Sequence, residues 1–428
     1  MTETPVTSEI RANRLRAGLK RRYAREGRFK LYGLLAIGVA VGFLLLLLGR
    51  IIEQGHTAFY THNVTVPVYM DPARVDRAYP QGTNFELLVA EQQLARLGIT
   101  DDAQGSRATA MRGLFSSELK YASAERIQRN PGLIGQTVPI AAPVSDDADL
   151  YFKGEISSDT PADQRRLSDQ QIAWLDRMKA SGQVTASFNS GLFTKGDSTE
   201  PELAGVLGAV VGSALMLLVT AFIAIPLGVG AALYLEEFAP RNRLTDLIEV
   251  NINNLAAVPS IIYGLLGLAL FINWMHLPRA SPLVGGLVLA LMALPTIIIA
   301  TRSSLKAVPP SIREAALAMG ASKTQTVFHH TLPLAMPGVM TGAIISMAHA
   351  LGETAPLLLI GMVSFIPGVP AAFGEPTGAL PSLIYIWENA SERAFHERTA
   401  AAILVLLAFM IVMNAAAIFL RRRFERRW

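Results

Sequence analysis

Six apolar windows constrain this chain more than any other feature: Leu31 to Ile52, Leu203 to Leu235, Ile252 to Phe271, Leu283 to Thr301, Met336 to Val363 and Ala400 to Leu420. Each reaches the roughly twenty residues needed to cross a bilayer. In hydrocarbon every backbone N–H and C=O must bond within its own segment, so windows of this length predict transmembrane helices. The second and fifth windows exceed that length and are expected to tilt or to extend past the bilayer. Pro226 and Pro356 are expected kink points within them. Composition agrees, with 51% hydrophobic residues and only 17% charged, against roughly 25% charged in soluble domains. The absence of cysteine excludes a disulfide framework and thiolate metal ligands.

The basic residues give the orientation. Arg11 to Lys30 holds nine Lys or Arg, the tail Arg421 to Arg427 holds five, and Arg241, Arg243, Arg302, Lys306, Arg313 and Lys323 fall on the same side. The short loops opposite contain only Arg279, Arg393 and Arg398. The positive-inside rule then puts both termini in the cytoplasm, consistent with an even number of spans. Leu31 to Ile52 is long for a cleaved signal and lacks a small-residue cleavage site, so it is read as an uncleaved anchor. Its basic flank beside a span points to topology and anionic lipid rather than nucleic acid. The predicted organisation is a basic N-terminus (1–30), a first span (31–52), an extracytoplasmic insertion (53–201), a five-helix core (202–420) and a basic tail (421–428).

The insertion reads as α+β. Val64, Val66 and Val68 alternate within a predicted strand over Thr61 to Met70, and helices are predicted over Phe85 to Leu97 and Ala108 to Ile127. Ser168 and Gln171 form a capping-box pattern for a helix whose apolar face carries Ile172, Leu175 and Met178. A strand is expected over Thr185 to Phe193. No catalytic constellation is visible there. His56 and His62 lack the carboxylate or thiol spacing of a metal site and read as incidental.

One polar stretch interrupts the apolar windows: Ser311 to Pro333, SIREAALAMGASKTQTVFHHTLP. Pro309 and Pro310 stop the helix before it, and Ser311 with Glu314 predicts a capping box. Gly320 is placed to turn left-handed. Ser322 with Gln325 predicts a second box and a helix lasting to about Leu332, before Pro333 and Pro337. An amphipathic hairpin held between spans is suited to gripping a soluble partner. Capping and turning explain Glu314 and Gly320 taken singly, but not Glu314, Ala315, Ala316 and Gly320 together.

The segment resembles the EAA loop of ABC importer permeases at Glu314, Ala315, Ala316, Gly320, Leu332 and Pro333, with His330 standing where an aliphatic residue is usual. AHALGETAPLLLIG (Ala348 to Gly361), LYLEEFAP (Leu233 to Pro240) and Asn254 to Phe271 are similar to PstA-type permeases of phosphate importers. The resemblance covers about Phe188 to the C-terminus. It implies a type I ABC importer permease in the bacterial inner membrane, an all-α polytopic fold bearing the α+β insertion. The implied partners are an ATP-binding cassette ATPase dimer that the EAA loop engages, a second permease of the PstC type and an extracytoplasmic phosphate-binding protein. No cofactor is implied. Relatives have a short connection where this chain carries residues 53–201, so the insertion is expected to be accessory: a contact for the binding protein, an assembly surface or a regulatory element.

The chemistry left inside the membrane centres on Glu353. An ionisable group there is costly unless paired or facing water. It is suited to accept a hydrogen bond from a protonated phosphate oxygen, which sulfate cannot offer, or to hold an Arg. Pairing with a helix of the partner permease is the alternative. His349 lies one turn earlier on the same face, where many relatives carry Arg, and would make transport sensitive to pH. Thr354 and Arg302 complete the candidate path, Arg302 doubling as a topology anchor. Asn251, Asn253, Asn254 and Ser260 either line the path or cap the third helix.

No GxxxxGK[ST] motif is present, so the chain is not expected to hydrolyse ATP itself. A DNA-binding helix-turn-helix would need base-reading residues, and a secondary transporter would show repeated halves. A permease for sulfate or molybdate and a membrane-anchored sensor using the insertion are the remaining alternatives.

Overall fold

The computed structural model describes residues 5–99, 105–161, 165–363 and 365–424; the outermost residues of the two basic ends, 1–4 and 425–428, lie outside this set. The chain divides into two units, Met1–Gln54 and Gly55–Trp428. The first is essentially one helix, α1 (Pro5–Gly55), which contains the predicted anchor.

The second unit begins with the insertion, where β1 (Tyr60–Tyr69) forms the middle of an antiparallel sheet. Helices α2 (Phe85–Arg96), α3 (Ser106–Arg112) and α4 (Glu118–Arg129) follow. β2 (Thr137–Pro143) then pairs along β1 with Val66 opposite Ile140. After α5 (Asp146–Phe152) and α6 (Asp169–Ala180), β3 (Val184–Phe188) closes the other edge with Tyr60 opposite Phe188. Val64, Val66 and Val68 are fully buried with Ile140, Leu175 and Met178, as their alternation requires. The capping box at Ser168 and Gln171 is present.

Two local expectations fail here. The predicted helix from Ala108 to Ile127 is two helices, because Leu114 and Phe115 drop into the core and Phe115 bridges to Val144. The predicted strand from Thr185 to Phe193 ends at Phe188, and buried Asn189 turns the chain into α7 (Gly191–Thr194) by accepting from the Leu192 N–H and donating to the Ala58 carbonyl. β2 went unpredicted because Pro139 and Pro143 suppress its strand signal. Both are tolerated on an edge strand, where a missing N–H faces away from the ladder.

The apolar core starts with α8 (Leu207–Leu233), which keeps Pro226 inside it and passes into a π-turn over Tyr234–Phe238. α9 (Arg243–Ala256) and α10 (Ser260–Gly267) follow, α10 running on as a π-helical stretch to Trp274. Next come α11 (Pro282–Lys306), α12 (Pro310–Ala318), the single turn α13 (Lys323–Gln325) and α14 (Leu332–Gly352). α15 (Ala355–Leu359), α16 (Leu380–Glu388) and α17 (Ala394–Phe424) complete the chain. Small residues let the backbones approach closely, the usual solution where lipid supplies no hydrophobic drive. Against α8, a Cβ on Gly286 would lie 2.5 Å from the Val219 Cβ, and Thr220 donates to the Gly286 carbonyl at 3.1 Å.

Among the described residues five helices are long and apolar enough to cross a membrane, or six if one bent pair counts as a span. That pair corrects the third window. Arg243–Ala256 and Ser260–Trp274 meet at 101°. Pro259 cannot continue the helix, and the Tyr263 hydroxyl latches the corner by donating to the Leu255 carbonyl at 2.7 Å. The fifth window is corrected as well. α14 stops at Gly352, where the Pro356 ring would clash with the carbonyl four residues back, and Glu353 is extended (φ −79°, ψ 123°). Glu353 therefore occupies a break rather than a helix interior.

Candidate functional site

Three groups of polar residues stand out from this frame. The first surrounds the stretch resembling an EAA loop. α12 starts at Pro310, and the expected box between Ser311 and Glu314 does not form. A proline at the first helical position needs no N–H partner, so the helix begins one residue early. Gly320 is left-handed at φ +86°, and the box between Ser322 and Gln325 is present. The second arm does not end at Leu332. It passes through a π-turn (Thr326–Thr331) directly into α14, and the shifted bonding accommodates Pro333 within a 30-residue helical run, Lys323–Gly352. Ala316 is buried and Leu332 and Pro333 are half-buried, while Glu314 and Ala315 are exposed. Leu317 is 50% and Met319 88% exposed, so apolar side chains project from the turn.

This turn is tied to the end of the second span. Arg313 donates to Glu237 from Nη2 at 2.6 Å and from Nε at 3.1 Å, and also to the carbonyls of Leu305 (2.9 Å) and Val308 (2.8 Å). Glu236 receives Arg302 at 3.4 Å and Lys306 at 3.7 Å. Lys323 sits over the Phe238 ring, 5.5 Å from its centroid. Sequence reasoning singled out LYLEEFAP without giving these glutamates a role. The available signal was two adjacent carboxylates at one span end and a basic set, Arg302, Lys306 and Arg313, at the next.

The second group is at the helix breaks. His349 Nε2 lies 3.2 Å from Glu353 Oε1, with His349 exposed and Glu353 largely covered. Thr354 leads into α15 with no side-chain cap. The broken third span packs against this point, since a Cβ on Gly264 would fall 2.7 Å from the Pro356 Cα. Irregular backbone at membrane depth is tolerated where protein or a water-filled cavity covers it, so the break at Glu353, packed against α10, marks a candidate path. His349, Glu353 and Thr354 come together. Arg302 is committed elsewhere, to Glu249 at 2.8 Å and Glu236. Asn251 donates to the Leu247 carbonyl of its own helix.

The third group was not foreseen. Lys153 Nζ bonds Asp149 Oδ2 and Glu397 Oε1, both at 2.7 Å, which joins the insertion to the head of α17. His62 Nδ1 and its backbone N–H both meet Asp149 Oδ1, at 2.8 and 2.9 Å. Fully buried Arg398 donates to the Ala204 carbonyl. Burial alone would raise the Asp149 carboxyl, but its bonds to His62 and Lys153 outweigh that and hold it below the ordinary value. Nearby Glu202 is pushed up to about 7, chiefly by burial. His62 is thus engaged by a carboxylate, and no metal-ligand cluster occurs among the described residues.

A multi-pass helical core defines a membrane protein, and the exposed apolar turn leaves it a surface suited to a soluble partner. A family model for the "Binding-protein-dependent transport system inner membrane component" matches residues 224–428, and one for a "Domain of unknown function (DUF3333)" matches residues 16–162. The chain is 33% identical to "Phosphate transport system permease protein PstA 1" of Mycobacterium tuberculosis over 58% of this chain and 82% of that protein. It is 32% identical to "Probable ABC transporter permease protein YqgI" of Bacillus subtilis, over 50% of this chain and 76% of that one. Among solved structures, the inward-facing MetNI methionine ABC transporter aligns at 20% identity and TM-score 0.42, over 51% of this chain and 95% of that one. The chain belongs to the PstA-type family of ABC transporter permeases.

Proposed function

We propose that this chain forms one half of the membrane path of an ATP-driven importer of inorganic phosphate. A separate ATPase dimer closes on ATP and moves the turn at 311–333, and the spans rock between inward-facing and outward-facing states. A second, PstC-type permease completes the path, and an extracytoplasmic phosphate-binding protein delivers the ion. Both termini and the turn face the cytoplasm of a bacterial inner membrane, with residues 53–201 outside. The observation that carries this reading is the exposed apolar turn of Leu317 and Met319, continuous with a span, in a chain whose relatives include named phosphate permeases.

Glu353 is the path residue. At a helix break, paired with His349, its carboxylate accepts a hydrogen bond from a protonated phosphate oxygen. Glu353→Gln keeps the shape and removes the charge. In liposomes carrying the assembled complex, phosphate uptake is expected to fall about tenfold or more, the worth of one charge-assisted hydrogen bond. Unchanged uptake contradicts the path role, and loss of the complex assigns Glu353 to assembly instead.

A further inference from the structure

The turn Tyr234–Phe238 collects cationic side chains from the end of α11 and from both arms of the coupling segment. Glu236 takes Arg302 and Lys306 of α11, Glu237 takes Arg313 of α12, and Phe238 lies under Lys323, which opens the second arm. We infer that Arg313 and Glu237 are the clamp through which motion of the turn at Gly320 enters the second span, which makes both of them positioning residues for transport. The inference rests on the coupling role proposed above.

The geometry supports a rigid link rather than a surface ion pair. The Glu237 side chain is 8% exposed and that of Arg313 23%. A planar guanidinium presents its N–H groups in a fixed fork. Here one edge grips Glu237, while further N–H groups reach the Leu305 and Val308 carbonyls. Leu305 lies in the last turn of α11, where Pro309 has no N–H to offer its carbonyl; Arg313 adds a side-chain donor there beside the Val308 N–H at 3.2 Å, and so helps cap that helix. One side chain on α12 therefore holds the end of α8 and the end of α11 together. The cation of Lys323 over Phe238 makes a second attachment from the other arm, so the turn at Gly320 cannot tilt without pulling on residues 234–238. The π-turn there is a local irregularity in an otherwise regular span, a place where a helix end can change direction.

Lysine at 313 cannot reach all of these partners at once, and glutamine at 237 keeps an acceptor but loses the charge. The test uses Arg313→Lys and Glu237→Gln in the complete complex, reconstituted in liposomes with the binding protein and ATP. Three quantities are measured: the amount of ATPase that co-purifies, the rate of ATP hydrolysis, and phosphate accumulated per ATP. For both variants the ATPase is expected at the native ratio and hydrolysis to continue, with phosphate per ATP reduced about tenfold, within the range seen when a coupling element is altered. A native phosphate-to-ATP ratio in either assembled variant overturns the clamp. Loss of both variants from the membrane also overturns it, since the pair would then be a folding element only. Failure of the unaltered protein to bring down any ATPase refutes the coupling role itself and is distinguishable from either result.

Discussion

Replacing Lys153 by Met is expected to destabilise the protein by about 3–5 kcal/mol, the cost of stranding a charge when one partner of a buried ion pair is removed. Lys153 is 5% exposed and neutralises two carboxylates, Asp149 and Glu397, which are themselves almost sealed from water. Methionine matches the aliphatic stem and fills the space, so the loss is electrostatic rather than a cavity. Both carboxylates then lose their ammonium partner, and only Asp149 keeps His62. Glu397→Leu added to Lys153→Met removes the second stranded charge and should recover much of the stability, because a well-packed apolar pair often equals a buried ionic one. Thermal unfolding of purified protein in detergent reads both variants. A single variant as stable as the parent would show that the charges at the head of α17 are not desolvated. The pH sign is fixed by Asp149, whose folded pKa is held below its ordinary 3.8. Its contribution is complete above that value and is lost as pH falls through the lower folded one. Without Lys153 burial pushes the Asp149 carboxyl upward, so the deficit of Lys153→Met should be largest near about pH 8 and shrink as pH falls toward about 5 and the stranded carboxylate takes up a proton.

The second large effect is on association. Leu317 and Met319 present apolar surface beside Gly320, and a coupling turn that seats in a groove of an ATPase must bury them. Leu317→Asp puts a charge into that contact. A central apolar anchor is typically worth about 2–4 kcal/mol, so retention of the ATPase during purification should fall roughly 30-fold to 1,000-fold. The side chain is half exposed in the isolated chain, which leaves folding and membrane insertion intact. Full retention of the ATPase would remove this face from the interface.

The apolar windows were legible because a bilayer admits helices and little else, so hydropathy nearly dictates secondary structure there. Direction was not. The bend at Pro259 within the third window was not anticipated, and at Pro356, an expected kink point, the fifth window goes further and breaks, its helix ending at Gly352. Capping boxes succeeded where both partners were free to bond, at Ser168 and at Ser322, and failed at Ser311 because Pro310 had already begun the helix. The EAA-like residues stood out because they form one short contiguous stretch that resembles a known family. Their bracing did not, since Arg313 and Glu237 are 76 positions apart and Lys153 and Glu397 are 244 apart. Pairings of that range are decided by which helix ends the fold brings together; the sequence offered complementary charge at two span ends but not which residue meets which.

Coupling requires that the turn beside Gly320 touch a nucleotide-driven neighbour. A photo-activated crosslinking side chain at Met319, 88% exposed and outside every ion pair described above, reads this directly in intact cells. One dominant adduct is expected, to an ATP-binding subunit, with a yield that changes when ATP is depleted. Adducts confined to lipid, or to proteins without a nucleotide site, would contradict it.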